Sequence, residues 1–299
     1  MWEPDPVWLA LTGGTGTSTV GVWRTERAGR ALVVKRLAAP GPDDPPEFSE
    51  AHHFAYWRRQ ADVAITGITA ETPGLLAAPT DVVEDDEGIT LTSEWVEDAA
   101  LNGLYVAHAL GRFAGAELGR HQWLAVGQLR DRLRQVERRG GWPTLARTTV
   151  ADVADRLWAR RETLLRELDA LPQVPQHGDP AAQNLPGRQG DDVVAIDWGT
   201  LGTGPVGADL GLFLQNARED AEPLLDAYLL GLPDGLATGE EVAHGMKVSA
   251  AYTSLSRAEW ALARVAHGEG ALAGKYRHPA VAPYLRSLQR QFPLIESLL

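Results

Sequence analysis

Two neighbouring stretches of the sequence carry side chains that suit phosphoryl transfer. The first, HGDPAAQN, spans residues 177–184 and places Asp179 and Asn184 at the two ends of a short loop. The second, VVAIDW, spans residues 193–198 and places Asp197 directly after a run typical of a buried strand. An aspartate can accept the proton of an attacking hydroxyl, and amide and carboxylate oxygens are ligands that Mg²⁺ prefers. The pattern predicts a magnesium-dependent kinase.

The same two stretches resemble the catalytic and metal loops of the aminoglycoside phosphotransferase and choline kinase family, which are small-molecule relatives of the protein kinases. The resemblance implies that Asp179 is the catalytic base and that Asn184 and Asp197 hold Mg²⁺. It also implies that His177 braces the loop and that ATP is the donor. Any one of these residues could instead belong to an ordinary turn or strand end, and it is the ordered set that favours the catalytic interpretation.

Lys35 is the candidate for contacting the nucleotide phosphates. Only three of the 28 basic residues are lysines, and this one lies in ALVVKRL, residues 31–37, an apolar and β-branched pattern typical of a strand. An ammonium group on a long side chain can reach a phosphate from a strand. The segment VVKRL resembles the lysine-bearing third strand of kinases. The alternative is an ordinary lysine on an edge strand.

A turn rich in glycine and threonine, residues 11–20, joins two strand-like runs. Gly14, Thr15 and Gly16 lie at its centre. Because glycine has no Cβ, backbone N–H groups in such a turn can approach phosphate oxygens closely, which makes these residues candidates for covering the nucleotide. The protein-kinase pattern GxGxxGxV is absent, since Thr19 stands where the third glycine belongs. An ordinary glycine-rich hairpin is the alternative.

A helix is predicted from about Ser49 to Ile65, with Ser49 as its N-cap. Kinases use a glutamate of this helix to hold the strand lysine. The segment YWRRQ, which ends at Gln60, resembles a family segment that reads YWRRE, so Gln60 could hold Lys35 by a hydrogen bond without a charge. Glu50 is the other candidate, although it could equally be a surface carboxylate that compensates the helix dipole. The sequence leaves this choice open.

Residues 89–96 alternate apolar and polar side chains, which predicts a strand. In a two-lobed kinase the crossing between lobes follows, and its backbone would contact the edge of the adenine. Glu94, Trp95 and Val96 are the candidates for this contact. Trp95 could instead be a packing residue in the core or between the lobes.

From residue 99 onward the sequence changes to long helical patterns. A second amphipathic helix is predicted from roughly 150 to 168. Asp209, in GTGPVGADLG, fits an N-cap, and the segment resembles the family segment whose aspartate begins a helix and steadies the catalytic loop. The first helix is expected to bury one apolar face, formed by Leu104, Ala107, Leu110, Phe113, Ala114 and Leu118.

The family builds its acceptor pocket largely from the later helices, so carboxylates there are candidate contacts for an amine-bearing acceptor. Each of them alone could be an ordinary surface residue, and the sequence does not choose among them. The candidates are Glu219, Asp220, Asp226, Glu240, Glu241 and Glu259.

Composition limits the classes of function. The 299 residues are 44% hydrophobic and 23% charged, which indicates a globular chain long enough for two domains. The absence of cysteine excludes disulfides, thiol nucleophiles and thiolate metal sites. A net charge of −12 opposes binding to nucleic acid and would suit a cationic acceptor. Such acidity can equally serve solubility alone, so the charge by itself names no substrate. The sequence has no recognisable leader and no apolar run of 18 residues, so we expect a cytoplasmic protein with no membrane partner.

We therefore predict an α+β, two-lobed protein-kinase-like fold. Residues 1–97 would form a small nucleotide-binding lobe with an antiparallel sheet and one main helix, and residues 98–299 a mostly helical catalytic and acceptor-binding lobe. The expected reaction transfers the γ-phosphoryl group of ATP, with Mg²⁺, to a hydroxyl of a small molecule. An aminoglycoside-like or other cationic antibiotic is the leading acceptor, in resistance or self-protection.

Two alternatives stay open. The first is a metabolic kinase for a sugar, amino sugar, choline-like alcohol or amino alcohol. The second is a nucleotide-binding pseudokinase with little turnover. The presence of Lys35, Asp179, Asn184 and Asp197 argues against this second alternative. Gln60 and Pro180 keep it open, because Gln60 provides no charge and a proline directly after the expected base fixes φ and removes an N–H group from the loop.

Overall fold

Strand-forming residues near the amino terminus form a five-stranded antiparallel sheet. The structure is a computed structural model, and it describes residues 2–12, 16, 18–142, 145, 150–266, 278–279 and 281–299. Its strands are β1 (Leu9–Ala10), β2 (Thr19–Arg27), β3 (Arg30–Leu37), β5 (Thr80–Asp85) and β6 (Gly88–Glu94). Their order across the sheet is β1-β2-β3-β6-β5. Lys35 lies on the central strand, opposite Val22 of β2 and Leu91 of β6. The neighbouring strands therefore fix the position of this lysine on both sides.

The helix predicted from Ser49 to Ile65 is wrong over its first half. Residues 46–49 form a single turn of 3-10 helix, and residues 50–58 form a series of turns. The α-helix itself, α1, spans only Arg59–Thr66. It ends where Gly67 adopts a positive φ of 64°, a common way for glycine to terminate a helix.

Arg59 explains why the turns do not become helix. Its guanidinium group is buried and donates hydrogen bonds of 2.5–2.9 Å to five backbone carbonyls. Three of these carbonyls belong to the turn segment, so they point toward Arg59 instead of along a helix axis. A tertiary contact thus overrides the local helical pattern. The acceptors are the carbonyls of Ala51, His53, Phe54, Trp123 and Gly199.

Two three-stranded sheets carry the loops of interest. The first has the order β4-β10-β9, and β4 (Leu75–Ala77) runs parallel to β10 (Asp192–Ala195), while β9 (Gly187–Gln189) is antiparallel to β10. The second has the order β7-β11-β8, with strands at Ala125–Val126, Gly202–Pro205 and Gln173–Gln176 respectively. The segment containing Asp179 follows β8 and the one containing Asp197 follows β10, so a sheet holds the start of each.

Helices form most of the remaining chain. Two of them pack very closely: an added Cβ at Gly111 would lie 2.1 Å from the carbonyl oxygen of Tyr228, and one at Gly231 would lie 2.1 Å from that of His108. Only glycine permits this approach. The helices are α2 (Gly103–Phe113), α3 (Gln128–Arg138), α4 (Ala151–Asp169), α5 (Ala208–Leu214), α6 (Ala221–Gly231), α7 (Gly239–Ala266), α8 (Ala282–Arg290) and α9 (Phe292–Glu296).

The apolar face predicted for the first of these helices is largely confirmed. Ala107, Leu110 and Phe113 are almost fully buried in α2. Leu104 is an exception, because 42% of it is exposed. Leu118 is buried but lies beyond the end of the helix. The second predicted helix agrees with α4 to within one residue at either end.

Two large hydrophobic clusters support the helical part. One surrounds α2, α5 and α6 and includes Leu75 and Val193 from the parallel strand pair. The other joins α3, α4 and α7. The α+β class expected from the sequence is confirmed, while the proposed lobe boundary near residue 97 stays a prediction. Within the described residues, no helix combines the length and apolar character needed to cross a membrane.

Candidate active site

An ion pair joins β3 of the five-stranded sheet to the loop after β10. Lys35 Nζ lies 2.7 Å from Asp197 Oδ1 and donates a second hydrogen bond of 2.7 Å to Gln60 Oε1. Of the two candidate partners for this lysine, the structure therefore selects Gln60, on α1. Glu50 is exposed and lies 3.8 Å from His52. The lysine is held by one charged and one neutral oxygen.

Asp197 is presented by an unusual backbone conformation. Its φ and ψ are 61° and 55°, in the left-handed region, which an aspartate tolerates better than most residues. Burial raises the pKa of this carboxyl group, but the charge and hydrogen bond of Lys35 more than offset burial, and the pKa lies below its usual value. Asp197 is consequently ionised at neutral pH and can act as a hard oxygen ligand.

Asp179 and Asn184 are linked within one loop. The Asn184 side-chain amide donates to the Asp179 carbonyl at 2.9 Å and to Asp179 Oδ2 at 3.3 Å. This arrangement leaves the amide oxygen of Asn184 available as an acceptor. Ile196 N donates to the Asn184 carbonyl at 2.8 Å, so the loop of Asp179 and the loop of Asp197 are joined through their backbones.

His177 is buried beneath these loops and braces both. Its Nδ1 accepts a hydrogen bond from Asp179 N at 3.3 Å, which places the ring proton on Nε2, where it donates to the Ile196 carbonyl at 3.0 Å. Burial lowers the pKa of His177, and the ring is therefore neutral. The histidine acts on the positions of Asp179 and Asp197 rather than on a reacting atom.

Asp209 supports the loop from the opposite side. Its two carboxylate oxygens accept hydrogen bonds from the backbone N–H groups of His177, at 2.7 Å, and Gly178, at 3.0 Å. The predicted N-cap role is wrong: Gly207 is the N-cap of α5, and Asp209 lies in the first turn of that helix, where its side chain is turned toward the loop. Burial raises the pKa of Asp209 to about 7, although the hydrogen bonds from the two N–H groups favour the charged form and lower this pKa.

Gly178 leaves no room for a side chain. Its φ is +81°, and an added Cβ would lie 2.5 Å from both the Thr200 carbonyl oxygen and the Gln128 amide nitrogen. We expect Gly178→Ala to lower the free energy of unfolding by about 2 kcal/mol and to reduce turnover by displacing Asp179. Urea unfolding and steady-state rates would measure the two effects.

Gly190 provides the matched control for this substitution. It also has a positive φ, of +61°, but open space surrounds the position of its Cβ. Gly190→Ala should therefore cost only the backbone strain, about 1 kcal/mol, and leave turnover unchanged. Equal effects of the two substitutions would show that backbone strain alone matters at residue 178.

The remaining nucleotide-binding candidates are less constrained. Gly14 and Thr15 lie outside the described residues, and Gly16 is exposed. Glu94 pairs with Arg30 at the surface, at 3.2 Å, and the Trp95 ring packs under the Arg24 guanidinium, 4.6 Å from the ring centroid. The packing interpretation of Trp95 thus has a specific contact. Contact of Glu94, Trp95 and Val96 with adenine stays a prediction.

Three of the six carboxylates considered for acceptor binding have structural partners. Glu219 accepts from Gly103 N at the start of α2, at 2.7 Å, and Glu241 accepts from Thr238 N ahead of α7, at 2.7 Å. Glu259 is buried and pairs with Arg139 at 2.7 Å. A role for any of the six in acceptor binding stays a prediction.

Two arginines near the candidate base were not predicted from the sequence. Arg257, on α7, donates to Asp179 Oδ1 at 2.6 Å, and Arg132, on α3, is close enough to Asp179 and Arg257 to feel both charges. Their separations from Asp179 in the sequence are 78 and 47 positions, so no local pattern announces them. Arg59 lies within YWRRQ, and its position in that family-like segment is the only signal in the sequence for its role.

The oxygen donors of the site fit a magnesium–nucleotide complex better than a metal ion bound by protein alone. Among the described residues, no group of three or more histidine, cysteine, aspartate or glutamate side chains could hold a metal ion. Magnesium in nucleotide-binding sites commonly takes one or two carboxylate or amide oxygens and completes its shell with phosphates and water. Asn184 and Asp197 match that donor set.

The sequence and fold also match known proteins. The model of the APH family, described as a phosphotransferase enzyme family, matches residues 10–242. No curated protein matches the chain. Similar solved structures include a choline/ethanolamine kinase family protein from Mesorhizobium loti, with 17% identity and a TM-score of 0.55 over 96% of this chain and 92% of that one.

Two further structures support the same fold. An aminoglycoside phosphotransferase from Alicyclobacillus acidocaldarius is 16% identical, with a TM-score of 0.52 over 98% of this chain and 92% of that one. Amicoumacin kinase, in complex with AMP-PNP, Ca²⁺ and Ami, is 13% identical, with a TM-score of 0.58 over 99% and 93%. The two-lobed protein-kinase-like fold is confirmed by these likenesses.

Proposed function

Because this chain belongs to the APH phosphotransferase enzyme family, we propose that it transfers the γ-phosphoryl group of ATP to a hydroxyl group of a small molecule. The Lys35–Asp197 contact carries the proposal, since it brings the lysine proposed to contact the nucleotide within 2.7 Å of the aspartate proposed to bind the metal. The AMP-PNP complex of amicoumacin kinase supports an adenine nucleotide as donor. Phosphotransferase activity follows from membership of the family, whereas ATP as the donor and a small-molecule hydroxyl as the acceptor are our proposal.

Each residue of the site has a distinct task in this proposal. Lys35 orients the phosphates of the nucleotide, while Asn184 and Asp197 would hold Mg²⁺, which when bound offsets negative charge on the phosphates. Asp179 orients the acceptor hydroxyl and takes its proton. His177 and Asp209 keep the loop of Asp179 in place through its backbone. The protein thus contributes mainly positioning and electrostatic stabilisation.

Asp197→Asn tests the metal assignment. Asparagine also tolerates the left-handed backbone, so the loop should keep its shape. We expect the apparent affinity for Mg-ATP to fall about tenfold or more, because one charged ligand is lost. Titrations of ATP turnover against Mg²⁺ would measure the change, with Asp191→Asn, an exposed position between β9 and β10, as the matched control. Identical Mg²⁺ dependence in both variants would contradict the assignment.

The acceptor class is best found by an ATP-consumption screen over hydroxylated amines, sugars and antibiotics. A cationic antibiotic and a metabolic alcohol or sugar are both compatible with the family. A nucleotide-binding protein with little turnover is the second candidate function, favoured by Arg257, which occupies an oxygen of Asp179. Tight binding of Mg-ATP with no turnover of any compound would favour this second candidate.

A further inference from the structure

Arg257 contacts the candidate base, and Arg132, on a different helix, lies close enough to interact electrostatically with both of them. Arg257 Nη2 lies 2.6 Å from Asp179 Oδ1, and its Nη1 lies 3.4 Å from Gln215 Oε1. Arg132 lies with its guanidinium 4.5 Å from the ring centroid of Phe54. It donates no hydrogen bond to any residue that the structure describes. The region therefore contains more guanidinium groups than it has carboxylates to pair with them.

The nearest other carboxylate does not correct this balance. Asp131 accepts from Arg134 at 3.2 Å and lies 3.9 Å from His53 Nε2. Burial and the charge of Arg257 lower the pKa of Arg132 to about 10, and the carboxylates of Asp179 and Asp131 offset that effect only in part. A further anion beside Arg132 and Arg257 would stabilise both guanidinium groups.

A cavity of about 110 Å³ lies between α3, α4, α5 and α7, and we call it the α3–α7 cavity. Arg132 and Gly178 line it, so it reaches the loop that carries Asp179. Ser249 and Thr253 line it from α7, and Arg257 follows Thr253 by four residues, on the same helix face. Leucines of α3, α4 and α5 supply its apolar wall. The cavity thus combines an apolar wall with the side chain of Arg132, next to the loop that carries the candidate base.

The Arg257 contact also conflicts with the task of Asp179. A base must offer a carboxylate oxygen to the acceptor hydroxyl, and Arg257 already occupies Oδ1 while Asn184 contacts Oδ2. A group that attracts Arg257 away would free Oδ1. An anionic group on the acceptor could do this, because guanidinium forms strong paired hydrogen bonds with carboxylate and phosphate oxygens.

We propose that the acceptor carries an anionic group near its reacting hydroxyl, and that Arg132 and Arg257 bind this group and release Asp179. The inference rests on the proposed function and names a substrate class for it. It differs from the cationic acceptor expected from the net charge, since the local charges beside Asp179 are opposite in sign to that of the whole chain. Carboxylate, sulfate and phosphate share the required chemistry.

The first experiment compares acceptors that share one scaffold. Glucose, glucosamine, glucuronate and glucose 6-phosphate offer a neutral, a cationic, a carboxylate and a phosphate form, and the same set can be made from glycerol, serinol, glycerate and glycerol 3-phosphate. ATP consumption should favour the anionic members at least tenfold in kcat/KM. A preference between carboxylate and phosphate identifies the source of the anion. Turnover confined to neutral or cationic members would overturn the inference but leave the proposed kinase function intact.

Substitutions assign the preference to the two arginines. Arg132→Gln and Arg257→Gln should each raise KM for an anionic acceptor about tenfold to a hundredfold, the size expected for loss of a charge-assisted hydrogen bond, with KM for ATP unchanged. Arg257→Lys should restore part of the affinity, because it keeps the charge without the paired geometry. Arg156→Gln, an exposed arginine on α4, is the control. An equal change with neutral acceptors would indicate a structural role only.

A binding measurement decides the matter if no acceptor in the set is used. Inorganic sulfate and malonate should raise the melting temperature of the protein more than sodium chloride at equal ionic strength. The double variant Arg132→Gln with Arg257→Gln should lose this difference, whereas Arg156→Gln should keep it. If sulfate and malonate stabilise the double variant as much as the unchanged protein, the inference fails. Stabilisation by Mg-ATP, measured in parallel, tests the proposed function separately.

Discussion

Replacing Asp179 by alanine is expected to lower kcat by about 10³-fold, the range associated with loss of a positioned general base, while nucleotide affinity stays nearly unchanged. The reason is that, in the proposed function, Asp179 acts on the acceptor, whereas Lys35 and Asp197 act on the nucleotide and its metal. The loop should survive the change, because Asn184 also donates to the Asp179 carbonyl, at 2.9 Å.

The measurement pairs steady-state kinetics with Mg-ATP binding by calorimetry. Asp155→Ala, an exposed aspartate on α4, provides the matched control and should behave like the unchanged protein. A combined loss of turnover and of nucleotide binding in Asp179→Ala would indicate collapse of the loop. Full turnover would mean that another group takes the proton, and the assignment of Asp179 would then be wrong.

The second large effect concerns stability. Arg59→Met should lower the free energy of unfolding by about 3–5 kcal/mol, because five backbone carbonyls lose a charged donor and the methionine side chain cannot replace it. The five acceptors lie on three separate segments, which include Trp123 ahead of β7 and Gly199 beyond Asp197. The substitution therefore loosens the turn segment, the approach to α3 and the loop of Asp197 together.

Arg58→Met is the control, since it changes the adjacent residue in the same way. Arg58 pairs with Asp62 and Glu84 near the surface, and its loss should cost no more than about 1 kcal/mol. Urea unfolding followed by circular dichroism would measure both variants. Equal effects would mean that the five carbonyls find other partners or water when Arg59 is absent.

The site could be predicted from the sequence mainly where its geometry is local. Asp179 and Asn184 lie five positions apart, and their contact follows from one loop, while Asp197 follows a short strand whose apolar residues announce it. The contact between Lys35 and Asp197 spans 162 positions and was accessible only through a resemblance to a family. Composition and periodicity carry no information about that pairing.

The errors have a common physical origin. The helix from Ser49 to Ile65 follows local propensity, which was overridden when the Arg59 guanidinium bound the carbonyls of its first half. The N-cap expected at Asp209 is also a local inference and is wrong, whereas the contact of its carboxylate with the backbone of a loop 31 positions away agrees with what the family resemblance implied. Likewise, Arg257 meets Asp179 only because α7 packs beside the loop. Buried polar groups satisfied over long distances in sequence were the features most often missed.

The parallel pairing of Leu75–Ala77 with residues 193–195 has a consequence for how the protein could be divided. A cut at residue 97 would separate these two strands, leave the buried Leu75 and Val193 without their neighbours, and expose backbone hydrogen-bonding groups on both pieces. The two fragments would therefore tend to aggregate and would not fold independently. Swapping the first 97 residues between relatives should therefore preserve folding only when the residues that pair β4 with β10 remain compatible.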